Sequence, residues 1–203
     1  MTSLWLIAMI MMADRPMPRL SHSAPSWCFV AEEVRVDVSE SAFTVRGVYR
    51  FRMAPDAGAL VFRYPFPADT TLGVPELIEA SITGGPVPKA LRVVEDRDCW
   101  RWVAEPDGAD SCAIRIVYVQ RMSQGRARYV LASTQEWGRP IGRARIEVCV
   151  PASGSYHIEP TLRLEASGPT QRTYRGDFTA FFPSEDLLIE VERVDENARR
   201  GGD

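Results

Sequence analysis

Twelve residues from Ala42 to Met53 switch between two kinds of position without a break. Phe43, Val45, Gly47, Tyr49, Phe51 and Met53 fall on one side, while Thr44, Arg46, Arg50 and Arg52 dominate the other. Successive side chains leave a strand on opposite faces, so a period of two over this length predicts a β-strand with one buried face. Glu33 to Val38 repeats the pattern, with Val34, Val36 and Val38 interleaved with Glu33, Arg35 and Asp37. Residues 111–151 hold three more alternating segments, divided by a Gly-containing turn and by a polar loop with Trp137 and Pro140. Those connections are too short for a helix, and the stretch reads as an antiparallel meander. Leu60 to Tyr64 follows an Ala-Pro-Asp-Ala-Gly turn and is predicted to form a hairpin with Ala42–Met53. Pro65 and Pro67 stop pairing there, because proline cannot donate to a ladder, so 66–76 is expected to be an ordered crossover. Further strands are predicted near 77–83, 90–94, 99–104, 156–166, 171–181 and 186–193, and no helix longer than two turns. Short strands with turn signals roughly every ten residues, and no alternation with helices, predict an all-β fold, a mostly antiparallel β-sandwich.

A chain of 203 residues is enough for one domain with a sizeable core. Its balance of 45% hydrophobic and 25% charged residues is that of a soluble globular protein, and a net charge of −3 gives no pull toward nucleic acid. All the basic residues except Lys89 are arginine. Arginine's fork suits phosphate and carboxylate recognition, but the arginines are spread along the whole chain, which favours a genomic codon bias. Leu4 to Ala13 is an apolar run of about half the ~20 residues that a membrane-spanning helix needs. It matches the apolar region of a secretory signal with Ala13 as the cleavage residue. The lack of a preceding Lys or Arg and the presence of Met11 argue for a start codon placed upstream instead. The organisation expected is a signal peptide at 1–13, a Pro/Ser-rich lead-in at 14–28, one sandwich domain at 29–194 and a polar tail at 195–203. The protein is then exported to the periplasm or beyond, or is cytoplasmic if residues 1–13 are no signal.

Candidate chemistry is sparse. His22 lies in the lead-in, and His157 follows Pro-Ala-Ser-Gly-Ser-Tyr, which is not a nucleophile elbow. No pair among Cys28, Cys99, Cys112 and Cys149 has zinc or thioredoxin spacing. Cys99 and Cys112 flank the Pro106-Asp107-Gly108 turn on strands expected to pair, which makes them either a cross-strand disulfide or two small buried thiols. Cys149 is out of phase with Ile146, Val148 and Val150, and so faces the other side of its strand. The acidic groups Glu95-Asp96-Asp98 and Glu105-Asp107-Asp110 lack the spacing of a calcium loop, so no metal and no cofactor are predicted. With a turn centred on Ser123-Gln124, Arg115, Arg121, Arg126 and Arg128 share one face of a hairpin. Like charges placed opposite one another need neutralising, by a partner's carboxylates, a phosphate, acidic side chains of another strand, or solvent. Trp100 and Trp102 alternate with Arg101 as core positions do.

Val45-Arg46-Gly47-Val48-Tyr49-Arg50-Phe51 followed by Tyr64-Pro65-Phe66-Pro67 resembles the opening of VIT domains, the modules of vault proteins and inter-α-trypsin inhibitor heavy chains. It is also similar to exported bacterial β-domains of unknown function. The match spans about residues 33–85, and the later Glu-Lys signature of VIT domains is not visible. The resemblance implies a β-sandwich with a noncatalytic scaffolding or binding role and transfers no functional residue. The reading that follows is a noncatalytic exported module engaging another envelope protein through the arginine hairpin and the Pro65–Pro67 crossover. The alternatives are a carbohydrate- or lipid-binding sandwich using exposed aromatics, and a hydrolase with a site near His157.

Overall fold

The computed structural model describes residues 27–67, 72–85, 87–96, 98–105 and 109–192. The apolar run at 4–13, His22, the Pro106-Asp107-Gly108 turn and the tail at 195–203 lie outside them. In chain order the strands are β1 (Trp27–Val38), β2 (Ala42–Met53), β3 (Leu60–Pro65), β4 (Glu76–Thr83), β5 (Lys89–Ala90), β6 (Val94–Glu95) and β7 (Cys99–Ala104). They continue as β8 (Ser111–Arg121), β9 (Arg126–Tyr129), β10 (Ile141–Pro151), β11 (Ser155–Glu159), β12 (Arg163–Ser167), β13 (Gln171–Phe181) and β14 (Leu187–Glu192). A short 3-10 helix, Ala132–Trp137, links β9 to β10. The fold is the all-β sandwich that the alternation predicts.

One layer is an eight-stranded sheet in the order β12-β13-β10-β1-β2-β8-β4-β5. Its neighbours are antiparallel except β1 and β10, which run parallel. Two three-stranded sheets, β3-β7-β6 and β11-β14-β9, cover its apolar face. The inward row of β2 holds Phe43, Val45, Tyr49, Phe51 and Met53, all buried as the sequence predicts. The outward face is solvated and carries cross-strand ion pairs such as Arg35–Glu147, Arg50–Glu33 and Arg145–Asp177. A large antiparallel sheet with one wet face needs a lid on the other, and the two small sheets supply it.

Several expected pairings are replaced by others. Leu60–Pro65 forms no hairpin with β2, since β3 pairs with β7 in the lid while β2 lies between β1 and β8. Residues 111–151 are not a meander. Gln124 and Gly125, both at positive φ, turn the chain out of the large sheet at the end of β8, and β9 pairs with β14 instead. Alternation tells which face of a strand is buried but not which strand lies beside it. Cys99 and Cys112 therefore sit in different sheets, β7 in the lid and β8 in the large sheet, and both are free thiols. Cys149 does face away from Ile146 and Val148, toward the Thr173 hydroxyl at 3.7 Å. The described parts of the expected 66–76 crossover are held down: Phe66 packs on Trp100 at 4.8 Å, and Gln120 Nε2 donates to the carbonyls of Pro67 and Gly73 at 2.8 and 2.9 Å.

The domain also begins earlier than expected. Trp27 and Cys28, assigned to the lead-in, are the first residues of β1, and Trp27 is buried. The register of β1 against β2 slips between Phe29 and Ala31, a β-bulge at Val30. Inward residues are odd-numbered before it (Trp27, Phe29) and even-numbered after it (Glu32, Val34, Val36, Val38). The bulge thereby turns Glu32 into the core, directly opposite Tyr49.

Candidate functional site

Where the large sheet meets both lid sheets, a cavity of about 80 Å³ opens between the layers. A water needs roughly 10–15 Å³ by the same measure, so the space suits several waters or a small organic group. Phe51, Phe62, Trp102 and Trp137 form aromatic walls, and Glu32 with Tyr49, Tyr64 and Tyr129 supplies the polar groups. Exposed Arg63 and Glu136 mark the mouth.

The three tyrosines come one from each sheet. Tyr49 on β2 hydrogen-bonds through its hydroxyl to Tyr64 of β3 and to Tyr129 of β9, each at 2.8 Å. Gly47 makes this geometry possible. A Cβ built at position 47 would lie 2.1 Å from the Tyr49 Oη, so the tyrosine ring lies along its own strand over the bare glycine. Tyr64 also interacts with Tyr129 and with the buried Tyr118 of β8, so the hydroxyls form one buried phenol cluster. Burial, more than any neighbouring charge, pushes all three phenols above their ordinary range and keeps them protonated.

Glu32 is the anomaly of the core. It is 1% exposed, and its Oε1 has no hydrogen-bond partner. Burial raises its pKa to about 7. A buried carboxyl without a partner costs stability in either protonation state, and most of all when ionised. Trp102, on the same cavity, has a buried Nε1–H that is likewise unpartnered. An acceptor oxygen and a donor N–H, both unpartnered, thus line one aromatic cavity.

The 3-10 helix closes one side of the cavity and is fixed from a distance. Asp186, just ahead of β14, accepts hydrogen bonds from the backbone N–H groups of Leu131 and Ala132 at 3.0 Å. Its other oxygen holds Arg128 at 2.6 Å. Thr134 bonds back to the Leu131 carbonyl at 2.9 Å, and Gly138 ends the helix at a φ of 67°. Trp137 thus sits against Phe51 and Phe62, with ring centroids 5.4 and 6.1 Å away.

The arginines singled out from the sequence do not form one surface. Arg115 and Arg121 lie on the outer face of the large sheet, and Arg126 and Arg128 on the outer face of the lid. Three of them meet acids from other strands: Arg115 with Glu79 at 3.0 Å, Arg126 with Glu190 at 2.6 Å and Arg128 with Asp186. β8 and β9 meet only at the Ser123–Arg126 bridge and then part into different sheets, so the like charges do not lie opposite one another. Trp100 and Trp102 are buried, as their alternation predicts, so neither offers an exposed stacking platform. His157 is exposed on the edge strand β11 and bonds to Glu159 at 2.9 Å, which raises its pKa. Among the described residues no group of three or more His, Cys, Asp or Glu is placed to hold a metal, and no helix is long and apolar enough to cross a membrane.

Glu32 escaped the sequence reading. Glu32-Glu33 looks like a solvated acidic pair, and the bulge at Val30 hides the phase that turns one of the two inward. The available signal was Phe29 and Trp27, whose burial requires β1 to extend back past the pair.

No family model matches the sequence. No curated protein matches it either. Among solved structures, the M1 zinc metallopeptidase from Deinococcus radiodurans is similar, with a TM-score of 0.51 and 12% identity over 82% of this chain and 43% of that one. A mutant of the same peptidase gives a TM-score of 0.50 and 11% identity over 82% and 42%. This chain thus spans less than half the length of those chains, and at such identity the likeness is one of fold alone.

Proposed function

We propose that the protein is a noncatalytic binding module that takes a small polar group of its ligand or partner into the Glu32 cavity. The observation that carries this reading is a carboxyl 1% exposed, with an oxygen left unpartnered, on an aromatic cavity that opens to solvent between Arg63 and Glu136. Folded proteins satisfy nearly all buried polar atoms, and an exception on a cavity wall points to a group supplied from outside. The surrounding side chains favour binding over chemistry: ring faces and phenols held protonated by burial give a shaped, polarised pocket. With residues 4–13 read as a secretory signal, the encounter takes place outside the cytoplasm. The test is a panel of amines, amides, sugars and carboxylates, scored by thermal shift on the wild type and on Glu32→Leu. One class that raises the wild-type midpoint and not that of Glu32→Leu is the expected result. If no class distinguishes the two proteins, the cavity is a packing defect and the reading fails.

A further inference from the structure

We propose that the group admitted to the Glu32 cavity is a small organic ammonium that carries an oxygen acceptor a few bonds from its nitrogen. This rests on the binding reading above and specifies its chemistry.

The charge of the ligand follows from the walls. Aromatic faces carry the negative side of a quadrupole and attract cations placed within about 6 Å of the ring centroid. Here Phe51, Phe62, Trp102 and Trp137 line the same cavity as the Glu32 carboxyl, so a cation held at Glu32 meets aromatic walls. An anion entering this space meets the ring faces and the Glu32 carboxylate together. A neutral apolar group leaves the Glu32 Oε1 and the Trp102 Nε1–H as they are, both unpartnered. A protonated amine uses both features, donating N–H to Glu32 and resting its carbon substituents on the rings.

The acceptor follows from the donor. Trp102 Nε1–H is buried and unpartnered on the cavity. The indole N–H can only donate, so an ammonium alone leaves it unmet, whereas a hydroxyl or carbonyl oxygen on the same ligand accepts from it. At about 80 Å³ the cavity holds a terminal group of this kind, with the rest of a larger ligand outside the mouth.

The protonation of Glu32 gives the interaction a pH signature. The groups facing it are Tyr49 from β2, Tyr64 from β3 and Tyr129 from β9, with Arg63 and Glu136 at the mouth. The phenols are held protonated at neutral pH, and burial of the carboxyl itself sets its pKa near 7. Ammonium binding is then strong above pH 7 and weakens as the carboxyl takes up its proton.

Two isosteric probes test the idea: N,N-dimethylethanolamine, protonated at pH 8, and 3-methylbutan-1-ol, which replaces its nitrogen with carbon. Each is titrated to tens of millimolar against the full chain at constant ionic strength, following tryptophan fluorescence and aromatic NMR shifts. The expected result is saturable binding of the amine at least about tenfold tighter than the alcohol, equivalent to about 1.4 kcal/mol. The preference should collapse in Glu32→Gln and at pH 5.5. If the alcohol binds as tightly as the amine, the ammonium inference is overturned while the binding reading stands. If neither probe perturbs the cavity, the ammonium inference is likewise overturned, and the broader panel decides the binding reading separately.

Discussion

Glu32 and Gly47 are the two residues whose local cost is visible. Glu32 holds its proton more tightly in the folded chain than in the unfolded one, because burial lifts its pKa from 4.5 to about 7. The sign follows from linkage. The penalty is small below the ordinary carboxyl range, grows as the pH rises through it, and is complete above about pH 7. Glu32→Gln, which removes the charge and keeps the shape, should therefore be more stable than the wild type at pH 8. That advantage should shrink by roughly 2–3 kcal/mol on going to pH 5. Urea unfolding of both proteins at the two pH values measures it, and an advantage that does not change with pH would show that Glu32 is solvated. Gly47 is tested by Gly47→Ala. The new methyl displaces the Tyr49 hydroxyl and strips Tyr64 and Tyr129 of their partner, for an expected loss of about 2–4 kcal/mol. On a Tyr49→Leu background the same change should cost at least about 1 kcal/mol less, since the clash and the hydroxyl network are then already gone.

Among the elements, the 3-10 helix depends most on distant support. Its first residues have no side-chain cap of their own, and Asp186 from ahead of β14 satisfies the N–H groups of Leu131 and Ala132. Asp186→Ala removes the oxygen that accepts from both N–H groups and the Arg128 ion pair together, and should cost about 1–3 kcal/mol. Amide exchange should quicken in residues 130–138 while the centre of the large sheet keeps its protection, and a uniform change across the molecule would contradict the assignment. Elements also mark how far the sequence could be read. β2 was legible to the residue, because an unbroken alternation of twelve positions leaves no freedom in phase. β1 was legible only beyond its bulge, and Glu32 was lost with the missing half. Neighbours were the weakest point. Leu60–Pro65 and Ala42–Met53 are joined by a turn that suits a hairpin, yet they pair in different sheets. Turn chemistry records that the chain reverses, whereas the layer it returns to depends on which distant apolar face needs covering. The Glu32 cavity lies where three sheets meet, so no local stretch of sequence could contain it.

The order in which the chain visits its layers makes the whole molecule a single unit. β1 and β2 lie in the large sheet, β3 in the lid, β4 and β5 in the large sheet, β6 and β7 in the lid and β8 in the large sheet again. The exchange continues with β9, β11 and β14 in the lid and β10, β12 and β13 in the large sheet. Neither layer is a continuous piece of chain, and the lid strands are only two to six residues long. Short sheets of that size are marginal alone, so the lid cannot unfold while the large sheet stays closed around its apolar face. The Tyr49 side chain bonds both lid sheets to the large one. Tyr49→Phe leaves two buried hydroxyls without their partner and should lower stability by about 1–3 kcal/mol. Because nothing frees one layer from the other, the variant should still unfold in one transition with an unchanged denaturant slope. With Trp27 of the large sheet replaced by Phe in both proteins, tryptophan fluorescence follows the lid chiefly through Trp100 and Trp102, and far-UV circular dichroism follows chiefly the larger sheet. Coincident curves from the two probes are the expected outcome. A fluorescence transition that precedes the dichroism would mean that the large sheet holds together without the lid, and that the tyrosines join separable parts.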